Sequence, residues 1–262
     1  MPVATRRTRT LAVCAAPVAA LLAVAALAPL PFTLAEPGLT ADVLGSKKGE
    51  PVITVTGADT RDTSGELRMT TIAATGPDAE IGLDEIVDGW FRTDRAVMPR
   101  DSVYPVGDST EAIEKHNAAE MRRSQDTATV AALAHLGRPP GQVDVKLRLA
   151  DVGGPSAGLM FSLGIVDKLD GDGRGGDLTG GRTVAGTGTI TADGDVGPVG
   201  GVPLKTLAAE RDGASVFLVP EKECADAESE LPEGLRLIPV ETLAGAVDAL
   251  KALESGGRVP SC

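Results

Sequence analysis

The chain has 262 residues with three Cys, two His and six aromatic side chains, and its formal net charge is −12. This acidity opposes binding to nucleic acids, whose phosphates are held mainly by Lys and Arg, and the few aromatic side chains leave little for base stacking. The Cys and His counts exclude a four-Cys or three-His metal site, no stretch reads G-x-x-x-x-G-K-[ST], and we expect neither a metal nor a cofactor.

The N-terminal part of the chain combines a basic start with a long uncharged run. Arg6, Arg7 and Arg9 precede residues 10–35, which carry no charged side chain. A helix that crosses a bilayer needs about 20 apolar residues, and flanking positive charges stay on the cytoplasmic side. We therefore predict a cytoplasmic end at residues 1–9, a single transmembrane anchor at 10–35 and an extracytoplasmic remainder with a net charge of −15.

A cleaved signal peptide is the alternative interpretation of this segment. Thr33-Leu34-Ala35 is a tolerable small-x-small cleavage site. Cleavage there would release a secreted protein that begins at Glu36. The length of the apolar run favours the retained anchor.

The three Cys are consistent with an oxidising compartment, where disulfides persist. Cys14 lies in the apolar segment, which leaves Cys224 and Cys262 as a candidate disulfide pair. Two unrelated free thiols are the alternative.

Residues 36–108 are predicted to form a β-rich region. Segments 52–55 and 67–72 are rich in β-branched residues and flank a polar turn, which predicts a hairpin. Residues 83–91 form a short helix candidate, and the segment around Pro99 and Pro105 is expected to be irregular.

Residues 109–262 are predicted to form an α+β domain of mixed sheets and packed helices. Asp108 and Glu111 resemble a capping box that opens a long helix, which should end near Leu136 with Gly137 as its stop. Asp193-Gly194 is a hairpin turn signal. Further strands are predicted at 143–149, 183–190, 215–219 and 235–240, and further helices at 155–169, from 202 and at 242–253.

Residues 154–158 (Gly-Pro-Ser-Ala-Gly) fit G-x-S-x-G, the nucleophile elbow of α/β-hydrolases. That fold needs a His downstream of the Ser, whereas His116 and His135 both lie upstream. The order of residues along the chain still permits a chymotrypsin-like triad of His, Asp and Ser, formed by His116 or His135 with Asp151 and Ser156. A long helix that carries the His does not suit the all-β barrel in which that order occurs.

Lys205 is a candidate base for Ser156, because a Lys can activate a Ser nucleophile. Its pKa must fall from about 10.4 for it to act near neutral pH, and both the apolar neighbours Val202 and Leu204 and the positive end of a helix dipole favour this. Ser156 at a helix start offers backbone N–H groups for an oxyanion, and Gly154 allows close approach of a substrate. Taken singly, such a Ser is usually a helix cap and such a Lys a solvated charge.

Two stretches together resemble the Lon-type serine proteases. Residues 153–165 resemble their nucleophile motif, and residues 184–190 with 197–209 resemble their catalytic-lysine motif. The likeness is greatest to the membrane-anchored, extracytoplasmic Lon-like proteases of Gram-positive bacteria. It implies the Lon proteolytic-domain fold, a Ser156–Lys205 dyad with Thr187 as hydrogen-bond partner of the Lys, and a homo-hexamer.

The sequence also departs from this family pattern. Gly153 stands where many Lon proteases have an Asp, and only residues 138–142 lie where the anchored relatives insert a PDZ domain. The ATPase module of full-length Lon is absent as well. We therefore expect an ATP-independent serine endopeptidase that cleaves extracytoplasmic proteins or peptides at the cytoplasmic membrane. A catalytically weak pseudoprotease or peptide-binding scaffold is the alternative.

Overall fold

The computed structural model describes residues 6–105, 109–139, 141–149 and 154–262. Within these ranges the helices are α1 (Arg6–Leu27), α2 (Leu83–Trp90), α3 (Arg100–Val103), α4 (Thr110–His135), α5 (Gly158–Leu169), α6 (Val202–Arg211), α7 (Cys224–Ser229) and α8 (Leu243–Glu254). A 3-10 turn, Glu221–Glu223, leads into α7.

The strands of the described residues are β1 (Phe32–Asp42), β2 (Ser46–Lys47), β3 (Glu50–Pro51), β4 (Ile53–Thr56), β5 (Glu66–Ala74), β6 (Ala96–Pro99), β7 (Asp144–Leu147), β8 (Thr183–Gly186), β9 (Thr189–Ile190), β10 (Val196–Gly197), β11 (Val216–Pro220) and β12 (Arg236–Val240). The antiparallel pair β9 and β10 confirms the hairpin predicted at Asp193-Gly194.

A six-stranded mixed sheet organises these elements. Its order is β12-β11-β8-β5-β1-β6, with β12, β11, β8 and β5 parallel and β5, β1 and β6 antiparallel. The predicted combination of mixed sheets and helices is confirmed. The hairpin predicted between 52–55 and 67–72 is wrong, because β4 pairs with β7 whereas β5 lies between β1 and β8.

The long helix α4 begins close to the predicted position. Asp108, the predicted N-cap, lies outside the described residues, and Ser109 caps the helix by accepting the N–H of Ala112 at its Oγ. The helix ends at His135, and Gly137 follows it with a φ of +62°, which suits a glycine stop. Eight residues, 136–143, then lead to β7.

Helix α5 lies in the centre of the hydrophobic core. Ser162 is the single polar side chain in its first nine residues, which is typical of an enclosed helix, and every residue in α5 except Lys168 is buried. Ser162 Oγ donates to the carbonyl oxygen of Ala128 in α4 at 3.2 Å. Gly164 allows close packing on β4, since a Cβ there would lie 2.7 Å from Ile53 Cδ1. These contacts hold α5 against α4 and β4.

Helix α1 is shorter than the predicted anchor at residues 10–35. It ends at Leu27, and β1 begins at Phe32, so the last part of that range belongs to the central sheet. Leu34 and Ala35 are buried there. Among the described residues, no helix has both the length and the apolar character needed to cross a membrane.

A disulfide joins Cys224, the first residue of α7, to Cys262, with 5.3 Å between their Cα atoms. The tail is also held by Val259, which is buried in the main hydrophobic core. The Cys14 thiol is free and exposed. The chain end is therefore fixed both covalently and by packing.

The disulfide closes a loop with a sequence separation of 38 residues. Because the bond restricts the unfolded chain, we expect Cys262→Ser to lower the free energy of unfolding by about 2–4 kcal/mol. Urea unfolding without reductant measures this, and Cys14→Ser, which removes the free thiol, should match the parent. Equal midpoints for the parent and Cys262→Ser would contradict the prediction.

Asp167 of α5 is a buried carboxyl group away from the cleft described below. Its Oδ1 accepts the N–H of Leu178 at 2.8 Å, and its Oδ2 accepts no hydrogen bond from any described residue. Burial raises the pKa of Asp167 to about 6, against opposing contributions from the Leu178 hydrogen bond and Arg61. The charged form is therefore costly in the folded protein.

We expect Asp167→Asn to stabilise the protein at pH 8, by up to about 3 kcal/mol, and to have little effect at pH 4. The folded carboxyl holds its proton to a higher pH than the unfolded one, so the parent loses stability as pH rises from about 4 through 6. Urea midpoints at several pH values measure the difference. The exposed Asp170→Asn is the control, and a pH-independent difference for Asp167→Asn would contradict the prediction.

Candidate active site

An open cleft of about 420 Å³ contains the predicted residues Gly154, Ser156 and Lys205. Its other walls come from β5, α3, α4 and the segment between β10 and α6. A larger cavity of about 650 Å³ lies beside Met121 and Arg148 and includes none of the three. The smaller cleft is therefore the candidate site, because it contains the predicted nucleophile and the predicted base.

Ser156 lies in the turn before α5 and is half-buried. Its carbonyl oxygen accepts the N–H of Gly188 at 2.9 Å, which ties the turn to the segment between β8 and β9. Ser124 of α4 donates from its Oγ to the carbonyl oxygen of Pro155 at 3.1 Å. Gly154 has a φ of +91°, a conformation that favours glycine. The backbone that carries the Ser156 hydroxyl is thus held from two sides.

Lys205 occupies the first turn of α6, and its residue is only 3% exposed. Gly201 precedes the helix with a φ of +69°, and Lys205 N–H donates to its carbonyl oxygen at 3.2 Å. Burial lowers the pKa of Lys205 to about 8, although the carboxylate of Glu223 partly opposes this. A neutral amine is therefore accessible near physiological pH, as a general base requires.

Thr187 connects the two predicted catalytic residues. Its side chain is fully buried, and its Oγ1 accepts a hydrogen bond from Lys205 Nζ at 3.1 Å. The same hydroxyl donates to the carbonyl oxygen of Ser156 at 3.3 Å. Among the described residues no hydrogen bond joins the Ser156 hydroxyl to Lys205 directly. Such catalytic contacts are often long before substrate binds.

The structure also brings to the cleft, or into contact with its wall, residues to which the sequence assigned no role. Val199 lines the cleft, and its N–H donates to Glu223 Oε1 at 3.0 Å. Tyr104 closes another side, with its hydroxyl donating to the carbonyl oxygen of Thr75 at 2.6 Å. No local motif marks Glu223, because its position follows from the packing of the turn before α7. In the described ranges, no group of three His, Cys, Asp or Glu side chains is placed to hold a metal ion.

A serine and a buried lysine that face one cleft define a class of peptidase in which the lysine replaces the histidine of the usual triad. Residues 118–252, just over half of the chain, match the family model of the Lon protease (S16) C-terminal proteolytic domain. The chain belongs to this family of serine endopeptidases.

Three relatives illustrate the similarity. The chain is 40% identical over 93 residues to the Lon protease of Chloroflexus aggregans, and this match covers 34% of this chain and 10% of that protein. It is 40% identical over 93 residues to the Lon protease of Azospirillum brasilense, a match that covers 34% of this chain and 11% of that protein. It is 35% identical over 114 residues to Lon protease 1 of Myxococcus xanthus, a match that covers 41% of this chain and 13% of that protein. The match spans about a tenth of the length of these relatives.

Proposed function

We propose that the protein is an ATP-independent serine endopeptidase that cleaves extracytoplasmic proteins or peptides with a Ser156–Lys205 dyad. The observation that carries the proposal is the buried Lys205, with its lowered pKa and its hydrogen bond to Thr187, in the same cleft as Ser156.

The reaction begins with neutral Lys205, which is about one tenth of the molecules at pH 7 for a pKa of about 8. Ser156 Oγ attacks the carbonyl carbon of the substrate while Lys205 Nζ takes the hydroxyl proton. Backbone N–H groups at the start of α5 stabilise the oxyanion. Lys205 then gives the proton to the leaving amine, and the C–N bond breaks. Water releases the acyl group by the same steps.

Thr187 orients the lysine in this mechanism, and we expect Thr187→Val to lower kcat/KM by about 10–100-fold. Valine keeps the shape of the side chain but removes the acceptor for Lys205 Nζ and the donor for the Ser156 carbonyl. Rates on a fluorogenic peptide measure the effect. Thr206→Val is the control, since Thr206 is equally buried and bonds only within α6. Similar losses in both variants would contradict the role of Thr187.

Degradation of an unfolded protein tests the proposed activity. We expect the full chain to release peptides from fluorescent casein without nucleotide, at a rate that ATP and Mg²⁺ leave unchanged. A peptide boronate, which captures an activated serine, should stop the release. Binding of casein without cleavage would favour a peptide-binding scaffold and contradict the proposal.

We further propose that the protein is retained at the outer face of the cytoplasmic membrane by its N-terminal segment. The uncharged residues 10–35 behind three arginines support this location, as does the disulfide. Retention is also supported by β1, since cleavage after Ala35 would remove the residues of β1 that pair with β6. Intact mass and carbonate extraction of membranes test the location, and a soluble chain that begins at Glu36 would contradict it.

Assembly is the remaining part of the proposal. Lon family proteases commonly oligomerise, and the resemblance implies a homo-hexamer for this chain. Sedimentation of the full chain in detergent tests this assembly, and a monomer at the concentration used for activity would contradict it.

A further inference from the structure

Glu223 is an acid that is hydrogen-bonded to the wall of the candidate cleft. It ends the 3-10 turn that follows β11, and it is half-buried. Its Oε1 accepts the N–H of Val199 at 3.0 Å, while its Oε2 is enclosed and accepts no hydrogen bond from any described residue. A carboxylate oxygen that is enclosed without a hydrogen bond is costly to ionise, so the charges around Glu223 matter for its protonation state.

The charges around Glu223 identify Lys205 as its counterpart. Lys205 is the cation whose attraction favours the ionised Glu223, and Glu223 is the acid whose attraction favours the protonated Lys205. Burial raises the pKa of Glu223, the hydrogen bond from Val199 and the charge of Lys205 oppose this rise, and the like charge of Asp226, on α7, adds to it. Lys205 itself donates its side-chain hydrogen bond to Thr187, so Glu223 acts on it through space.

Glu223 also holds part of the cleft wall. Val199 and Gly200 line the cleft and lead directly into Gly201 and α6, whose first turn carries Lys205. The hydrogen bond from Val199 N–H to Glu223 therefore fixes one end of the segment that places the lysine. Glu223 thus contacts the segment that leads to Lys205, and its charge also acts on the Lys205 amine.

We propose that Glu223 is a positioning residue that stabilises the ammonium form of Lys205 as it arises during attack by Ser156, while anchoring the cleft wall at Val199. The inference rests on the proposed dyad. When Lys205 takes the serine proton, the new positive charge forms on a buried side chain within the field of the Glu223 carboxylate, where the attraction is stronger than it would be in bulk water. The stabilised ammonium form increases the rate at high pH. The same charge raises the pKa of resting Lys205, so Glu223 also shifts the acid limb of the kcat/KM profile to higher pH.

Direct titration of Lys205 tests the inference without relying on catalysis. The full chain in detergent, labelled with 13Cε-lysine and assigned with Lys205→Met, reports the Lys205 pKa by NMR. Glu223→Gln keeps an oxygen acceptor for Val199 but removes the charge, and we expect the Lys205 pKa to fall by about 0.5–1 unit. The exposed Glu221→Gln removes the same charge two residues earlier and should leave the Lys205 pKa unchanged. Glu223→Asp keeps the charge and should hold that pKa within about 0.3 unit.

The pH profile of peptide cleavage gives the second measurement. For Glu223→Gln we expect the acid limb of kcat/KM to move down by the same 0.5–1 unit, while the rate at high pH falls about 3–10-fold. A purely structural role would lower the rate without moving the limb. Identical Lys205 titrations in the parent and Glu223→Gln would overturn the inference. A lowered pKa in a chain without Ser156-dependent cleavage would instead contradict the proposed function and leave the electrostatic coupling standing.

Discussion

Replacing Ser156 with alanine is expected to lower kcat/KM on casein or a fluorogenic peptide by about 1,000-fold or more. The hydroxyl of Ser156 is the nucleophile of the proposed mechanism, and its loss leaves no group that can form the acyl intermediate. The fold should be unaffected, because the contacts that hold this turn are made by the Ser156 carbonyl and not by its side chain. Steady-state rates and thermal unfolding measure the two effects.

Ser102→Ala is the matched control for this experiment. Ser102 lines the same cleft, and its hydroxyl donates only to the carbonyl oxygen of Pro99. We expect its rates to stay within about twofold of the parent, as for a surface substitution of small effect. Casein degradation by Ser156→Ala at the parental rate would show that another residue is the nucleophile.

The second large effect is expected at Lys205. Lys205→Met should lower kcat/KM by about 1,000-fold or more, because the proton of Ser156 then has no acceptor. Lys205→Arg should be as inactive, since a guanidinium stays protonated and cannot act as a base. A stability measurement shows whether the loss of activity comes from the chemistry or from misfolding. Met places an apolar chain in a site that is costly for a charge, so Lys205→Met should unfold at or above the parental urea midpoint.

The parent should show the corresponding pH dependence. The pKa of Lys205 is lowered to about 8 by burial, so kcat/KM should rise about tenfold per pH unit below that value and flatten above it. Rates with a peptide substrate between pH 6 and 10 measure this profile. Activity that is constant from pH 6 to 8, or that survives in Lys205→Met, would exclude Lys205 as the base.

Local signals predicted much of the framework. The long helix α4 and the strand β11 have the expected positions because their sequence periods and end signals are strong. The pairing of β5 could not be predicted in the same way. Its partners β1 and β8 lie far apart in sequence, and only the packing of the whole sheet decides which strands meet. A polar turn between two β-rich segments therefore suggested a hairpin that the fold does not contain.

The candidate site shows the same division. Ser156 and Lys205 stand in the two stretches that resemble the Lon motifs, and it is that resemblance which singles them out. Glu223 stands in no motif, and its hydrogen bond to Val199 joins residues 24 positions apart. The range predicted for the anchor, residues 10–35, also includes the first residues of β1, because an uncharged run has the same composition whether it continues a helix or enters a buried strand.

The linker between α1 and β1 limits the distance between the cleft and a surface that binds the N-terminal helix. Residues 28–31 separate the two elements and include Pro29 and Pro31. Leu30 already pairs with Ile81 of the folded part. Four extended residues reach at most about 14 Å. A surface that binds α1 would therefore hold the folded part close to it, and the cleft would reach only polypeptides that lie near that surface.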